Sequence, residues 1–176
     1  KLLFESPYII SMGRLHNQKG YKYLLKAFSN ISNQIPHNLI ILGEGPLLND
    51  LKHQVKILNI EKRVFFVGFR ENPYPILRDA KLFVLSSLYE GMPNVLLEAI
   101  SLSVPIVSSN CPSGPMEILG NKYKNLLYSP RDTVTLSKLI IQQINKPEII
   151  PISFLNKSFS IDKVLKDHDE LISKCF

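Results

Sequence analysis

The run from Pro7 to Gly43, PYIISMGRLHNQKGYKYLLKAFSNISNQIPHNLIILG, decides the fold. Pro7 to Met12 is a short β-prone apolar segment stopped by Gly13. Tyr21 to Ile35 carries apolar residues at helical spacing and ends before Pro36. Asn38 to Leu42 is a second apolar run, stopped by Gly43-Glu44-Gly45-Pro46. Two strands joined through a helix of this length lie parallel, because the crossover must carry the helix over one face of the sheet.

The same alternation continues outward. Leu47 to Leu58 places Leu48, Leu51, Val55 and Leu58 on one helical face. Val64 to Val67 is a third strand ending at Gly68, Pro75 to Ala80 a short helix, and Leu82 to Leu85 a fourth strand ending in Ser86-Ser87. Pro93 is placed at the first position of a helix that continues through Val95 to Leu102. Val104 to Val107 is a fifth strand and Leu126 to Tyr128 a weaker sixth. The pattern predicts an α/β fold: a Rossmann-like, doubly wound parallel sheet of about six strands with helices on both faces.

Beyond the core, Thr133 to Asn145 reads as an amphipathic helix, Pro147 and Pro151 mark a connector, and Ile161 to Lys174 carries one apolar stripe. Residues 158–176 are thus expected to form a terminal helix that packs on something further. The chain has 176 residues, 45% of them hydrophobic, which suits one domain over 1–176. It begins without methionine directly ahead of a strand-like run and is read as the excised half of a longer protein.

No apolar run reaches the ~18 residues that span a bilayer, and Lys1-Leu2-Leu3-Phe4-Glu5 lacks a signal peptide's apolar core, so a cytoplasmic protein is expected. Cys111 and Cys175 have neither CxxC spacing nor a nearby histidine pair and are read as inert thiols. The formal charge of +6 suits a polyanionic partner. Without a clustered basic helix or a stacking-aromatic pattern, nucleic acid is not the expected one.

In a parallel α/β sheet the strand-ending loops share one edge, where ligands bind. Those loops are Gly13-Arg14 with Lys19-Gly20, then Gly43-x-Gly45, Gly68-Phe69-Arg70, Glu90-Gly91-x-Pro93-Asn94, and Ser108 to Gly114. Glycines let backbone approach a ligand and helix N-termini favour anions, so phosphate is the natural guest. Arg14 can grip a phosphate through paired hydrogen bonds, with Lys19 as a point charge. Each feature alone also reads as an ordinary turn or surface charge. Gly43-Glu44-Gly45 lacks the third glycine of the dinucleotide fingerprint.

Seven residues separate Glu90 from Glu98. If helical, that spacing spans roughly 12 Å, too long for the ~5.5 Å carboxylate pair of a retaining glycosidase. Periodicity alone lets Glu98, Asn94 and Ser101 form a polar stripe facing water. The alternative is one extended nucleotide sugar, with Glu98 at the ribose hydroxyls, the backbone of Asn94 and Val95 at phosphate, and Glu90 at the sugar.

Several strings occur in order: Gly13-Arg14-Leu15-x-x-Gln18-Lys19-Gly20, Gly43-x-Gly45-Pro46, Gly68-Phe69, Ser86-x-x-Tyr89-Glu90-Gly91-Met92-Pro93-Asn94-x-x-x-Glu98-Ala99, and Cys111-Pro112-Ser113-Gly114-Pro115-x-Glu117-Ile118. This set resembles the C-terminal domain of retaining GT-B glycosyltransferases of family 4, marked by an E-x7-E motif. The resemblance implies the donor half of a two-domain transferase, with the acceptor, a glycan or lipid-linked molecule, held mainly by an N-terminal domain. The terminal helix would cross back to that domain, and this half alone would be inactive. By the same resemblance Arg14 and Lys19 hold the diphosphate, Glu98 the ribose, the backbone at Phe69 and Arg70 the base, and Glu90, the catalytic candidate, the donor sugar. Gly13, Gly43, Met92, Asn94 and Val95 complete the donor site.

The resemblance favours UDP-sugars and bacterial surface polysaccharide synthesis, at the inner face of the membrane and compatible with peripheral contact there. The family often has a glycine where this chain has Lys124-Asn125, and asparagine tolerates the left-handed backbone that a glycine would supply. The chain is read as lacking an Asp-x-Asp metal motif, so transfer without metal or cofactor is expected. The alternative reading is a non-catalytic nucleotide-sugar module, or half of a phosphorylase or epimerase of the same fold.

Overall fold

The computed structural model describes residues 6–159. In chain order the elements are β1 (Tyr8–Met12), α1 (Tyr21–Ile31), β2 (Asn38–Leu42), α2 (Leu48–Ile57), β3 (Val64–Phe66), α3 (Tyr74–Arg78), β4 (Leu82–Leu85), α4 (Asn94–Ser101), β5 (Ile106–Ser109), α5 (Pro115–Leu119), β6 (Leu127–Tyr128), α6 (Thr133–Asn145) and α7 (Ile152–Phe159). All six strands pair in parallel, in the order β3-β2-β1-β4-β5-β6. The predicted Rossmann-like sheet is therefore present, and the terminal helix expected from Ile161 onward lies outside the described residues.

Alternation along the strands sorts side chains into two apolar layers. Ile9, Ile41, Val84 and Val107 face α1, α2 and α6 through Leu25, Phe28, Leu51, Val55, Leu136 and Ile140. Tyr8, Ile10, Met12, Leu42 and Phe83 face the other way, onto Ile76, Leu77, Leu96, Ile100 and Ile118. Both faces are covered, which is why the central strands are apolar on both sides.

Several boundaries differ from those predicted. α1 stops at Ile31 instead of running to Ile35 because Arg63 captures the following carbonyls: its guanidinium donates to Ser32 O (3.0 Å), Ile35 O (2.9 Å) and His37 O (2.5 Å). Those oxygens turn toward a fixed cation instead of continuing a helix. β5 begins at Ile106, because Val104 N still closes the preceding helix on Ala99 O (3.0 Å) and Pro105 has no N–H to give. Pro93 precedes α4 instead of opening it. Helix α5 and the 3-10 turn Asn121–Leu126 occupy a stretch expected to be loop, and α7 starts directly after Pro151.

Asn125 is not left-handed; among the described residues the non-glycine positive φ values fall at Asn59, Ser103, Ser113 and Arg131. Its side chain instead donates to Glu148 Oε2 (2.7 Å), so the expected glycine-like role is not taken up.

Candidate functional site

Strand order reverses between β1 and β4, and a doubly wound sheet opens its crevice at such a point. The loops leaving these two strands are stitched together. Leu88 N donates to Gln18 O (2.7 Å), Gln18 Nε2 to Tyr89 O (3.0 Å), and Ser86 Oγ to Lys19 O (2.7 Å). Between them Lys19 Nζ lies 2.6 Å from Glu90 Oε1, with side chains only 17% and 7% exposed. Ser87 Oγ donates to the same carboxylate oxygen at 2.5 Å.

The glycines mostly let loop pack on loop. A Cβ on Gly43 would stand 2.1 Å from Gly13 O, one on Gly20 2.1 Å from Ser86 O, and one on Gly45 2.4 Å from Leu15 O. Gly13 N donates to Leu42 O and Gly43 N to Gly68 O, each at 2.9 Å, so three strand ends form one rim. Gly13 also gives room to the Lys19 stem, whose Cε would lie 2.9 Å from a Cβ there. Gly91, in contrast, faces open space. At most of these glycines one loop approaches another closely.

Below the rim, the Tyr21 hydroxyl donates to Gly13 O (3.0 Å). Burial, and after it the Glu90 charge, raises this phenol well above its usual pKa, with a Ser11 hydrogen bond pulling the other way, so it stays a neutral donor. The Cys111 thiol, buried in the loop after β5, is also pushed up, first by burial, with Glu90 adding to it. An inert thiol is what that environment produces.

Beside the Lys19–Glu90 pair a cavity of about 490 Å³ is lined by Met12, Gly13, Arg14, Leu42, Gly43, Glu44, Phe69, Arg70, Pro73, Val95 and Glu98. Seven of the residues singled out in the sequence thus share one cavity: Gly13, Arg14, Gly43, Phe69, Arg70, Val95 and Glu98. Arg14 is exposed, and its side chain makes no ion pair or hydrogen bond among the described residues. Phe69 is 66% exposed, a ring held out at the mouth with no apolar layer over it.

The other four stand elsewhere. Lys19 and Glu90 form their own pair next to the cavity, and Met92 is exposed in the turn before α4. Asn94 lines a neighbouring groove with Tyr74, Leu97, Ser101 and Leu102, which meets the cavity only through Glu98. Its backbone N–H is engaged by Met92 O (2.9 Å). Val95, the next residue, lines the cavity itself.

The sequence did not single out Met12, Leu42, Glu44 or Pro73. Met12 and Leu42 end their strands, which was the available signal. Glu44, itself exposed, braces the wall, its Oε1 accepting from Phe69 N (3.3 Å). The reading that the chain lacks an Asp-x-Asp is corrected by Asp167-His168-Asp169, in the C-terminal stretch outside the described residues. Among the described residues no helix is long and apolar enough to cross a membrane.

Residues 2–150 match the family described as glycosyl transferases group 1. An uncharacterised glycosyltransferase of Methanocaldococcus jannaschii is 40% identical over 119 residues, 66% of this chain and 29% of that protein. A UDP-Gal:α-D-GlcNAc-diphosphoundecaprenol α-1,3-galactosyltransferase of Escherichia coli is 36% identical over 135 residues, 74% of this chain and 35% of that protein. Among solved structures, the apo form of a lipopolysaccharide outer core galactosyltransferase superposes with a TM-score of 0.81 at 23% identity, covering 98% of this chain and 50% of that one. The chain spans about a third of the length of these curated relatives.

Proposed function

The chain belongs to the glycosyl transferases group 1, and on that premise we propose that it is the donor-binding part of a retaining transferase that uses a UDP-sugar. The observation that carries this reading is the single cavity at the β1/β4 crevice, where Arg14, Val95, Glu98, Phe69 and Arg70 converge.

Breaking a sugar–phosphate bond puts negative charge on the departing diphosphate and positive character on the sugar carbon, so cations and amide dipoles matter more than a proton donor. Arg14 meets the diphosphate with the amide at the start of α4. Lys19 joins them by turning from Glu90 to the phosphate. Glu98 accepts from the ribose hydroxyls, and the base lies against Phe69 and Arg70. Gly13 and Gly43 keep the floor thin, and Met92 borders the sugar. Glu90, freed of its cation, faces the donor sugar and is the catalytic candidate.

The curated relatives support the finer parts of this reading. One of them is named for transfer from UDP-Gal to a diphosphoundecaprenol-linked sugar. A lipid-linked or glycan acceptor follows by analogy, presented by an N-terminal domain without which this part is inactive. Work on such an acceptor suits the cytoplasmic face of a membrane, with peripheral contact, and surface polysaccharide synthesis. Transfer proceeds without a metal, and activity retained in excess chelator tests that.

The decisive experiment is a binding screen of UDP-, GDP- and ADP-sugars followed by turnover of the full-length enzyme with the donor that binds. A UDP-sugar that binds and turns over supports the proposal. Binding without any turnover favours a nucleotide-sugar module of the same fold, and no nucleotide binding rejects the reading.

A further inference from the structure

Of the two oxygens of Glu90, Oε1 receives both nearby donors, Lys19 Nζ at 2.6 Å and Ser87 Oγ at 2.5 Å. Oε2 takes no hydrogen bond among the described residues. The two donors differ in mobility. Lys19 is a long chain on a loop, able to swing to a phosphate. Ser87 is fully buried at the end of β4, and its carbonyl is itself held by Ser109 Oγ (2.7 Å) from β5. The last residue of β4 is held too, with Tyr128 Oη donating to Leu85 O (3.4 Å).

We propose that Ser87 is the positioning residue for Glu90, holding Oε1 inward so that Oε2 stays directed at the donor sugar after Lys19 has left for the diphosphate. The inference rests on the reading of Glu90 given above. Physically, a carboxylate with one mobile partner would follow that partner or turn freely, whereas a short hydrogen bond from a buried hydroxyl fixes its rotamer whatever Lys19 does. Ser87 touches no substrate; it acts through Glu90 alone.

The test compares Ser87→Ala, Ser87→Thr and Glu90→Gln in the full-length enzyme, using the nucleotide sugar of the screen that the wild type turns over fastest, and UDP as the binding probe. Ser87→Ala should lower kcat by about 10- to 100-fold, the scale of a lost hydrogen bond to a charged group, with UDP affinity within about twofold of wild type. Ser87→Thr, which keeps the hydroxyl, should recover most of kcat. A crystal structure of Ser87→Ala should show the Glu90 carboxylate rotated on an unchanged sheet.

If Ser87→Ala does not fold, Ser87→Cys keeps the volume with a weaker donor and gives the same comparison. Wild-type kcat in Ser87→Ala beside an impaired Glu90→Gln overturns the positioning role alone. So does a loss of kcat matched by an equal loss of UDP affinity, which marks a general structural effect. Wild-type kcat in Glu90→Gln removes the underlying reading of Glu90 itself.

Discussion

Lys19 Nζ and Glu90 Oε1, 71 positions apart in the chain, meet at 2.6 Å across the crevice between the loops after β1 and β4. Each neutralises the other in a place that is largely shut off from water. The pair is therefore both a clasp between the two halves of the sheet and a store of one cation and one anion. A diphosphate sugar offers a partner for each, so exchange of partners replaces the cost of burying two lone charges.

Arg14→Ala should lower turnover of the full-length enzyme by at least ~100-fold, corresponding to ~3 kcal/mol for one preorganised donor at a developing charge. Thermal unfolding should be unchanged, since the Arg14 side chain makes no ion pair or hydrogen bond among the described residues. Steady-state kinetics beside a melting curve checks both halves of the statement.

Glu98→Ala should abolish a preference for ribose. Wild type is expected to bind UDP about 10-fold or more tightly than 2′-deoxy-UDP, the scale of a hydrogen bond to a carboxylate, and the variant to bind the two alike. Calorimetric titration with both nucleotides reads this directly. An unchanged ratio would move Glu98 to the water-facing stripe that its spacing also allows.

Gly20→Ala should destabilise the fold by ~2 kcal/mol or more, because the added Cβ meets Ser86 O at 2.1 Å on a backbone with φ of +63°. Gly91→Ala has open space around it and should leave the melting temperature near wild type. Denaturant unfolding of the two variants separates a glycine required by packing from one that is not.

His37 gives the stability a pH dependence. It is buried, its Nδ1 has no hydrogen-bond partner, and burial, then Lys81 and Arg63, lower its pKa from the usual 6.5. The unfolded chain therefore binds the proton more readily. The stability contribution is fully present above pH ~6.5 and is lost as pH falls below it toward the lower folded value. His37→Met should flatten that part of the stability-versus-pH curve measured by chemical unfolding, while Arg63 keeps its bond to the carbonyl of residue 37.

The sheet and its helices were legible because apolar runs in β1, β2 and β4 end sharply at Gly13, Gly43 and Ser86, and because burial on both faces leaves little choice of register. The edge that carries the site was legible for the same reason. What local pattern could not carry were contacts between distant loops. Nothing in the spacing of Lys19 and Glu90 announces that they meet, nor that Ser87 shares their oxygen. Gly43, Gly45 and Gly20 admit the neighbouring loop at Gly13, Leu15 and Ser86, a packing role that their spacing does not announce. α1 ended early because of Arg63, which lies 32 residues beyond Ile31 in sequence. Asn94 lines the adjoining groove while Val95, the next residue, lines the cavity, a division that local spacing does not announce.

A crystal structure of the protein with UDP bound tests the central claim most directly. The account predicts the diphosphate between Arg14 and the Val95 amide, uracil beside Phe69 and Arg70, the ribose on Glu98, and Lys19 Nζ transferred from Glu90 to a phosphate oxygen. UDP seated outside this cavity, or bound within it while Arg14 stays in solvent and the Lys19–Glu90 contact persists, would contradict it.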